Sequence, residues 1–209
     1  MKELTTSMRL WLGTVVICCI LYTALILLIG QVFVPEKANG SLMVVGGQVV
    51  GSRQIAQAFT RPEYIWPRPS AVDYDAAATG GSNLSPTNEL LNERARSILE
   101  ALDLPSGTNV PADLVAASGS GMDPHITLEA ALLQAPRVAQ ARGVSLAQAE
   151  AFIEEQAFYP SGIPSGGRIV TVLPLNIALD ERYPVPEDAS SAMPDITSPA
   201  STSDDAMAP

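Results

Sequence analysis

Leu10–Ile29 reads LWLGTVVICCILYTALILLI, twenty residues without a charge, and its reading decides the architecture of everything on either side. As a helix rising 1.5 Å per residue it is about 30 Å long, the thickness of a bilayer hydrocarbon core. Twelve of its residues are Leu, Ile or Val, each worth up to about −0.3 to −0.6 kcal/mol near a helix centre, for an upper bound of roughly −4 to −7 kcal/mol on insertion. The run exceeds the ~7–15 residues of a signal-peptide core and no small-residue cleavage site follows it, so a retained anchor is expected. Lys2 and Arg9 precede it, whereas Lys37 behind it stands beside Glu36. The positive-inside bias therefore places residues 1–9 in the cytoplasm, a transmembrane helix over 10–34, and the remainder on the extracytoplasmic face of an inner (plasma) membrane, a periplasm in a Gram-negative cell.

Outward from the anchor, charge is unevenly placed. Five acids, Glu187, Asp188, Asp195, Asp204 and Asp205, and no base follow Pro184, so half of the formal net charge of −10 lies there. The stretch 184–209 is rich in Pro, Ser, Ala and Asp and poor in large apolar residues; it cannot bury enough surface to offset ordering and is expected to stay disordered. The rest is mildly acidic. No basic face interleaved with aromatics exists, which argues against nucleic acid as a partner. With 209 residues and 47% hydrophobic side chains, the chain has length for one sizeable domain besides the anchor and tail, here placed at 35–183.

Inside that domain, SLMVVGGQVVGS reads as two β-branched runs about a Gly46-Gly47 turn. RQIAQAFTRPEYIWPRPSAVDYD carries prolines at 62, 67 and 69 that forbid a long helix, so an extended segment packed down by Phe59, Tyr64 and Trp66 is expected. The glycine-rich AAATGGSNLSPTN (76–88) opens onto a helix: Ser85 or Thr87 as cap, Pro86 in the first turn, and Leu91, Ala95, Ile98 and Leu102 at helical spacing. VPADLVAASGSGMDP reads as a short apolar strand breaking at Gly119 and Gly121. TLEAALLQAPRVAQARG is an Ala-rich helix, bent at Pro136 and closed by Gly143. Ser145 with Gln148 forms a capping box for the next helix, and GGRIVTVLPLNIALDER is a strand followed by a short terminal element. Mixed strands, helices and glycine corners imply an α+β or α/β domain behind a single N-terminal transmembrane helix.

The inventory leaves little chemistry. Cys18 and Cys19, the only cysteines, are adjacent within the anchor and cannot build a disulfide framework or a zinc site. His125 is the only histidine; Asp123 before Pro124 marks a turn there, and no exposed nucleophile is signalled beside it. Asp73 and Asp75 straddle Tyr74 in a proline-rich loop, which reads as solvated and not as a glycosidase pair. TGGSN and SGSG expose backbone N–H groups near helix starts, but neither is followed by the Lys of a phosphate-binding P-loop. No catalytic or metal-ligating residue is assigned.

A set of landmarks carries a resemblance: ANGSL (38–42), GS with IAQAF (51–59), RPSA (68–71), TGGSNLSPTN (79–88), VPADLVAASGSGMDPHIT (110–127), QAPRVAQARG (134–143) and LNIALD (175–180). In this order behind one anchor, the chain resembles the KdpC family, the C subunit of the Kdp potassium-transporting P-type ATPase, up to about Tyr183. The resemblance implies a non-catalytic accessory subunit working with a potassium-channel-like A subunit and an ATP-hydrolysing B subunit, with potassium the transported ion of the complex. It further implies a catalytic chaperone that raises the ATP affinity of the B subunit, and family-ascribed ATP contact at Gln134 and in Thr79–Asn83, through Gly80, Gly81, Ser82 and Asn83. Small faces at Thr14/Cys18 and Cys19/Thr23 offer packing against another helix or lipid. The expected topology puts this domain across the membrane from ATP, so an indirect effect, with the domain capping the potassium entrance, is the favoured reading. The alternative is an anchored periplasmic binding module with no ATPase attached.

Overall fold

In the computed structural model, the described residues are 2–102, 104, 107–164 and 166–185. The acidic tail expected at 184–209 lies outside them from residue 186 onward. The chain divides into two compact units between Gln54 and Ile55.

The first unit begins with one apolar helix, Lys2–Phe33, long and apolar enough to cross a membrane. It runs as α1 (Lys2–Val15), a π-helical stretch (Val16–Leu21) and α2 (Tyr22–Phe33). The wider winding shows in the Tyr22 N–H, which donates to Ile17 O, five residues back. Thr14 Oγ1 donates to Leu10 O at 3.0 Å, so this hydroxyl inside the apolar run is satisfied by its own helix. Pro35 ends the helix by excluding Val34 from helical geometry (φ −142°, ψ 55°). A single turn, α3 (Pro35–Ala38), leads into the antiparallel hairpin β1 (Leu42–Val45) and β2 (Gln48–Ser52). Its two-residue turn has both glycines at positive φ, Gly46 at 59° and Gly47 at 83°, the geometry of a type I′ connection. Val44 pairs with Val49 and Met43 with Gly51, which leaves Val50 as a bulge.

The second unit contains α4 (Glu89–Leu102), α5 (Ala112–Val115), β3 (His125–Thr127), α6 (Leu128–Arg142), α7 (Leu146–Gln156), β4 (Ile169–Thr171) and α8 (Val172–Arg182). β3 and β4 pair antiparallel, Ile126 opposite Val170. Among the described residues both sheets are two-stranded and antiparallel, so of the two expected classes the fold is α+β. The core joins Ala130, Ala131, Ala135 and Val138 of α6 to Ile153 of α7, Ile126 and Val170 of the sheet, Leu175 and Leu179 of α8, and Ile65. Alanines on α6 let its neighbours approach closely, while each buried Ile or Leu contributes about 1.5–3 kcal/mol. The expected helix over 128–142 forms with Pro136 inside it and Gly143 closing it in the left-handed conformation. The Ser145/Gln148 capping box is present.

Three sequence expectations are corrected. The apolar run at 110–116 is not a strand but the single turn α5, which points only Leu114 inward. Asp113 accounts for the turn, because its carboxylate accepts the Thr127 N–H at 2.7 Å and its hydroxyl at 3.3 Å, holding this segment against the β3–α6 junction. The helix after the glycine loop starts later than Ser85 or Thr87, which bond each other at 3.1 Å; Asn88 Oδ1 accepts the Leu90 N–H at 2.9 Å and acts as the cap. The C-terminal stretch is mostly helix: three residues of strand precede the eleven of α8.

Candidate functional site

Residues 61–69 (RPEYIWPRP) form no regular element, so their backbone polar groups need partners from elsewhere. Two buried side-chain amides supply them. Asn176 of α8 accepts from Ile65 N at 2.8 Å and donates to Ile65 O at 2.9 Å. Gln134 of α6 accepts from Trp66 N at 2.9 Å and donates to Trp66 O at 3.1 Å. Successive residues of an extended chain turn their N–H and C=O groups to opposite sides, so α8 grips one edge of this strap and α6 the other. The amides, 1% and 2% exposed, take the place of neighbouring strands.

Two arginines of α6 complete the hold. Arg137 donates to Pro62 O (2.6 Å) and Tyr64 O (3.0 Å) through Nη1 and to Gln134 Oε1 (2.7 Å) through Nη2. Its guanidinium stacks 4.0 Å from the Trp66 ring centroid. Burial pulls its pKa down to about 10, leaving it charged at neutral pH. Arg142, wholly buried in its side chain, donates at 2.8 Å each to Glu63 O, Tyr183 O and Asp180 Oδ1. Tyr64 donates to Asp180 Oδ2 at 3.0 Å; burial first, and then the Asp180 charge, push the phenol up to about 12. Arg61 pairs with the buried Glu63. The strap is thus tied to α6 and α8 by two buried amides and by the guanidinium groups of Arg137 and the buried Arg142, and removing one partner would leave buried polar groups unpaired.

The two glycine loops meet in space. Gly80 N donates to Ser120 O at 2.9 Å, and a Cβ on Gly81 would lie 3.1 Å from Gly119 O. Gly121, at φ +72°, has no room for a side chain: a Cβ there would collide with Val72 Cγ2 and fall 2.9 Å from Gly80 O. Beside them Asp73 and Tyr74 adopt left-handed conformations (φ 50° and 58°), with Ser70 Oγ accepting the N–H groups of Val72 (3.1 Å) and Tyr74 (3.0 Å). Tyr74 donates to Arg68 O at 2.9 Å, and burial, then Asp73, push its phenol up to about 12. Asp75 accepts the Ala77 N–H at 2.8 Å, an Asx turn. The corner therefore spends the Gly80 amide on the facing loop. Gln134 makes its hydrogen bonds to Trp66, Ala130 and Arg137; among the described residues none of them reaches Gly80–Asn83.

Sequence reasoning missed a groove of about 280 Å³ between α4 and the strap, lined among others by Phe59, Trp66, Tyr74, Arg94 and Ile98. Arg94 Nη1 is buried there without a hydrogen-bond partner among the described residues. Reasoning also missed Asn176 and Arg142, whose partners lie 111 and 79 positions away, beyond any local pattern. His125 stands beside Asp123, Nδ1 to Oδ1 at 3.4 Å, and Arg68 Nη1 lies 3.2 Å from Asp123 Oδ2. The hydrogen bond from His125, reinforced by Arg68 and opposed by burial, holds the Asp123 carboxyl below its ordinary pKa. Among the described residues no group of three or more His, Cys, Asp or Glu is placed to hold a metal ion.

Comparison with known proteins bears on what this scaffold serves. Residues 4–181 match the family model described as KdpC, the K+-transporting ATPase c chain. A Potassium-transporting ATPase KdpC subunit from Parvibaculum lavamentivorans is 49% identical over 181 residues, covering 86% of this chain and 97% of that one. Proteins of the same name from Mycobacterium bovis and Rhodospirillum rubrum are 45% and 43% identical, covering 86% and 88% of this chain and 98% of each relative. With its apolar N-terminal helix, its glycine corner and its strap all inside the matched span, the chain belongs to the KdpC family, the C chain of potassium-transporting ATPases.

Proposed function

We propose that this chain is the non-catalytic accessory subunit of an ATP-driven, high-affinity potassium uptake complex, in which a channel-like A subunit selects potassium and a P-type B subunit hydrolyses ATP. The observation that carries the reading is the family match across 4–181, which takes in both the apolar helix and the folded domain. The helix anchors the chain in the inner membrane, and the domain stands on the extracytoplasmic side, where it caps the potassium entrance. Its net negative charge raises local cation concentration there, a small and screened effect.

The effect on ATP affinity is indirect. Gln134 spends its amide on the backbone of Trp66, so it governs the strap that α6 and α8 hold between them. The glycine corner shapes the other end of that same segment. ATP use by the B subunit is then coupled to this domain through the assembled complex, as a coupling free energy between separate sites. The test is affinity purification of the tagged full chain from its native membrane. Two larger membrane proteins should travel with it, and the eluate should hydrolyse ATP in response to potassium. Recovery of the chain alone, with no ATPase, would contradict the proposal and favour an anchored binding module.

A further inference from the structure

The hairpin β1–β2 lies in the same compact unit as the apolar helix, yet its side chains are uncovered. By strand alternation Leu42, Val44 and Val49 share one face, and they are 54%, 60% and 61% exposed. From Leu42 to Ser52 the sequence LMVVGGQVVGS carries no charge, while Glu36, Lys37 and Arg53 flank it. A two-stranded hairpin with a bare apolar face is marginal in water, so something covers it.

Geometry says what. The uncharged run that begins at Leu10 extends to Pro35, and the helix itself to Phe33. The chain then doubles back: a Cβ on Gly30 would sit 3.5 Å from Ala38 Cβ, and Gln31 and Asn39 exchange amide hydrogen bonds at 3.1 and 3.3 Å. The turn thereby brings Ala38 and Asn39 back beside the last turn of the membrane-crossing helix. From there the base of the hairpin is fixed. Ser41, 4% exposed, donates its N–H to Glu36 O at 2.8 Å and accepts from Arg53 N at 3.0 Å, and Ser52 Oγ donates to Gly40 O at 2.6 Å.

We propose that the hairpin is a second membrane-contacting element, its Leu42–Val44–Val49 face resting on the headgroup–acyl boundary of the leaflet from which the helix emerges. Only eight residues separate the end of the membrane-crossing helix from the hairpin, and the turn between them is tied to the helix's last turn through Gly30–Ala38 and Gln31–Asn39. At that depth water still satisfies the outward N–H and C=O groups of both edge strands, which the hydrocarbon core would not allow. The opposite face, where Gln48 pairs with Val45 and Met43 lies on the same side, stays toward water.

The test uses the full chain in vesicles of phosphatidylethanolamine and phosphatidylglycerol, with Cys18 and Cys19 replaced by Ala and a nitroxide placed singly through Val44→Cys, Val49→Cys, Gln48→Cys or Ile26→Cys. Relaxation by oxygen, which concentrates in lipid, should dominate at 44 and 49, less deeply than at 26, and relaxation by an aqueous nickel chelate should dominate at 48. Labels at 44 and 49 open to the nickel chelate, with 26 still lipid-buried, would overturn the proposal and leave that face to a protein partner. Aqueous relaxation at 26 as well would overturn it together with the membrane reading of the helix.

Discussion

At the scale of single residues, Gln134 is the position whose meaning changes most between sequence and structure. The resemblance marks it as an ATP contact; the fold gives its amide to Trp66 and its oxygen also to Arg137. Gln134→Ala strands a buried N–H and C=O, each costing about 1–3 kcal/mol if left unpaired, so thermal unfolding of the domain should drop by several degrees. Asn176→Ala should do the same. Because both grip one strap, the double variant should lose less than the sum of the two. Under the indirect account, a complex carrying Gln134→Ala that survives purification should keep its ATP requirement; a large rise without loss of thermal stability would speak for direct contact. Neither Asn176 nor Arg142 was legible in the sequence, because a buried polar side chain is recognised only by a partner that folding brings to it.

At the scale of elements, local chemistry was the readable part. The capping box of α7, the glycine turn of the hairpin and the apolar helix are set by neighbours within a few residues, and they form as expected. The turn at 112–115 was read as a strand because its apolar run is too short to show a period; the deciding contact, Asp113 to Thr127, is tertiary. The start of α4 shifted because three residues able to cap, Ser85, Thr87 and Asn88, crowd one turn. The pairing of the two glycine loops was likewise hidden, since they lie some forty positions apart. It makes a sharp contrast. Gly121→Ala meets Val72 and the Gly80 carbonyl at a positive φ and should destabilise the domain by about 1–3 kcal/mol in chemical denaturation. Gly119→Ala, with nothing within 4 Å of the added methyl, should remain close to the parent. Equal tolerance of the two would mean that the loops do not pack as described.

At the scale of the whole molecule, the account joins an apolar helix to a domain whose polar core is spent on holding one extended strap. That arrangement fits a part that positions other proteins, and the family match makes the chain a subunit of a potassium-transporting ATPase. The central claim is that the folded domain and ATP sit on opposite sides of the membrane, inferred from Lys2 and Arg9 ahead of the helix and the Glu36/Lys37 pair behind it. Protease added to intact spheroplasts and, separately, to inverted membrane vesicles reads this directly. The account predicts cleavage of the domain in spheroplasts and protection in inverted vesicles. Cleavage only in inverted vesicles would contradict it and place the Gly80–Asn83 loop on the nucleotide's side of the membrane.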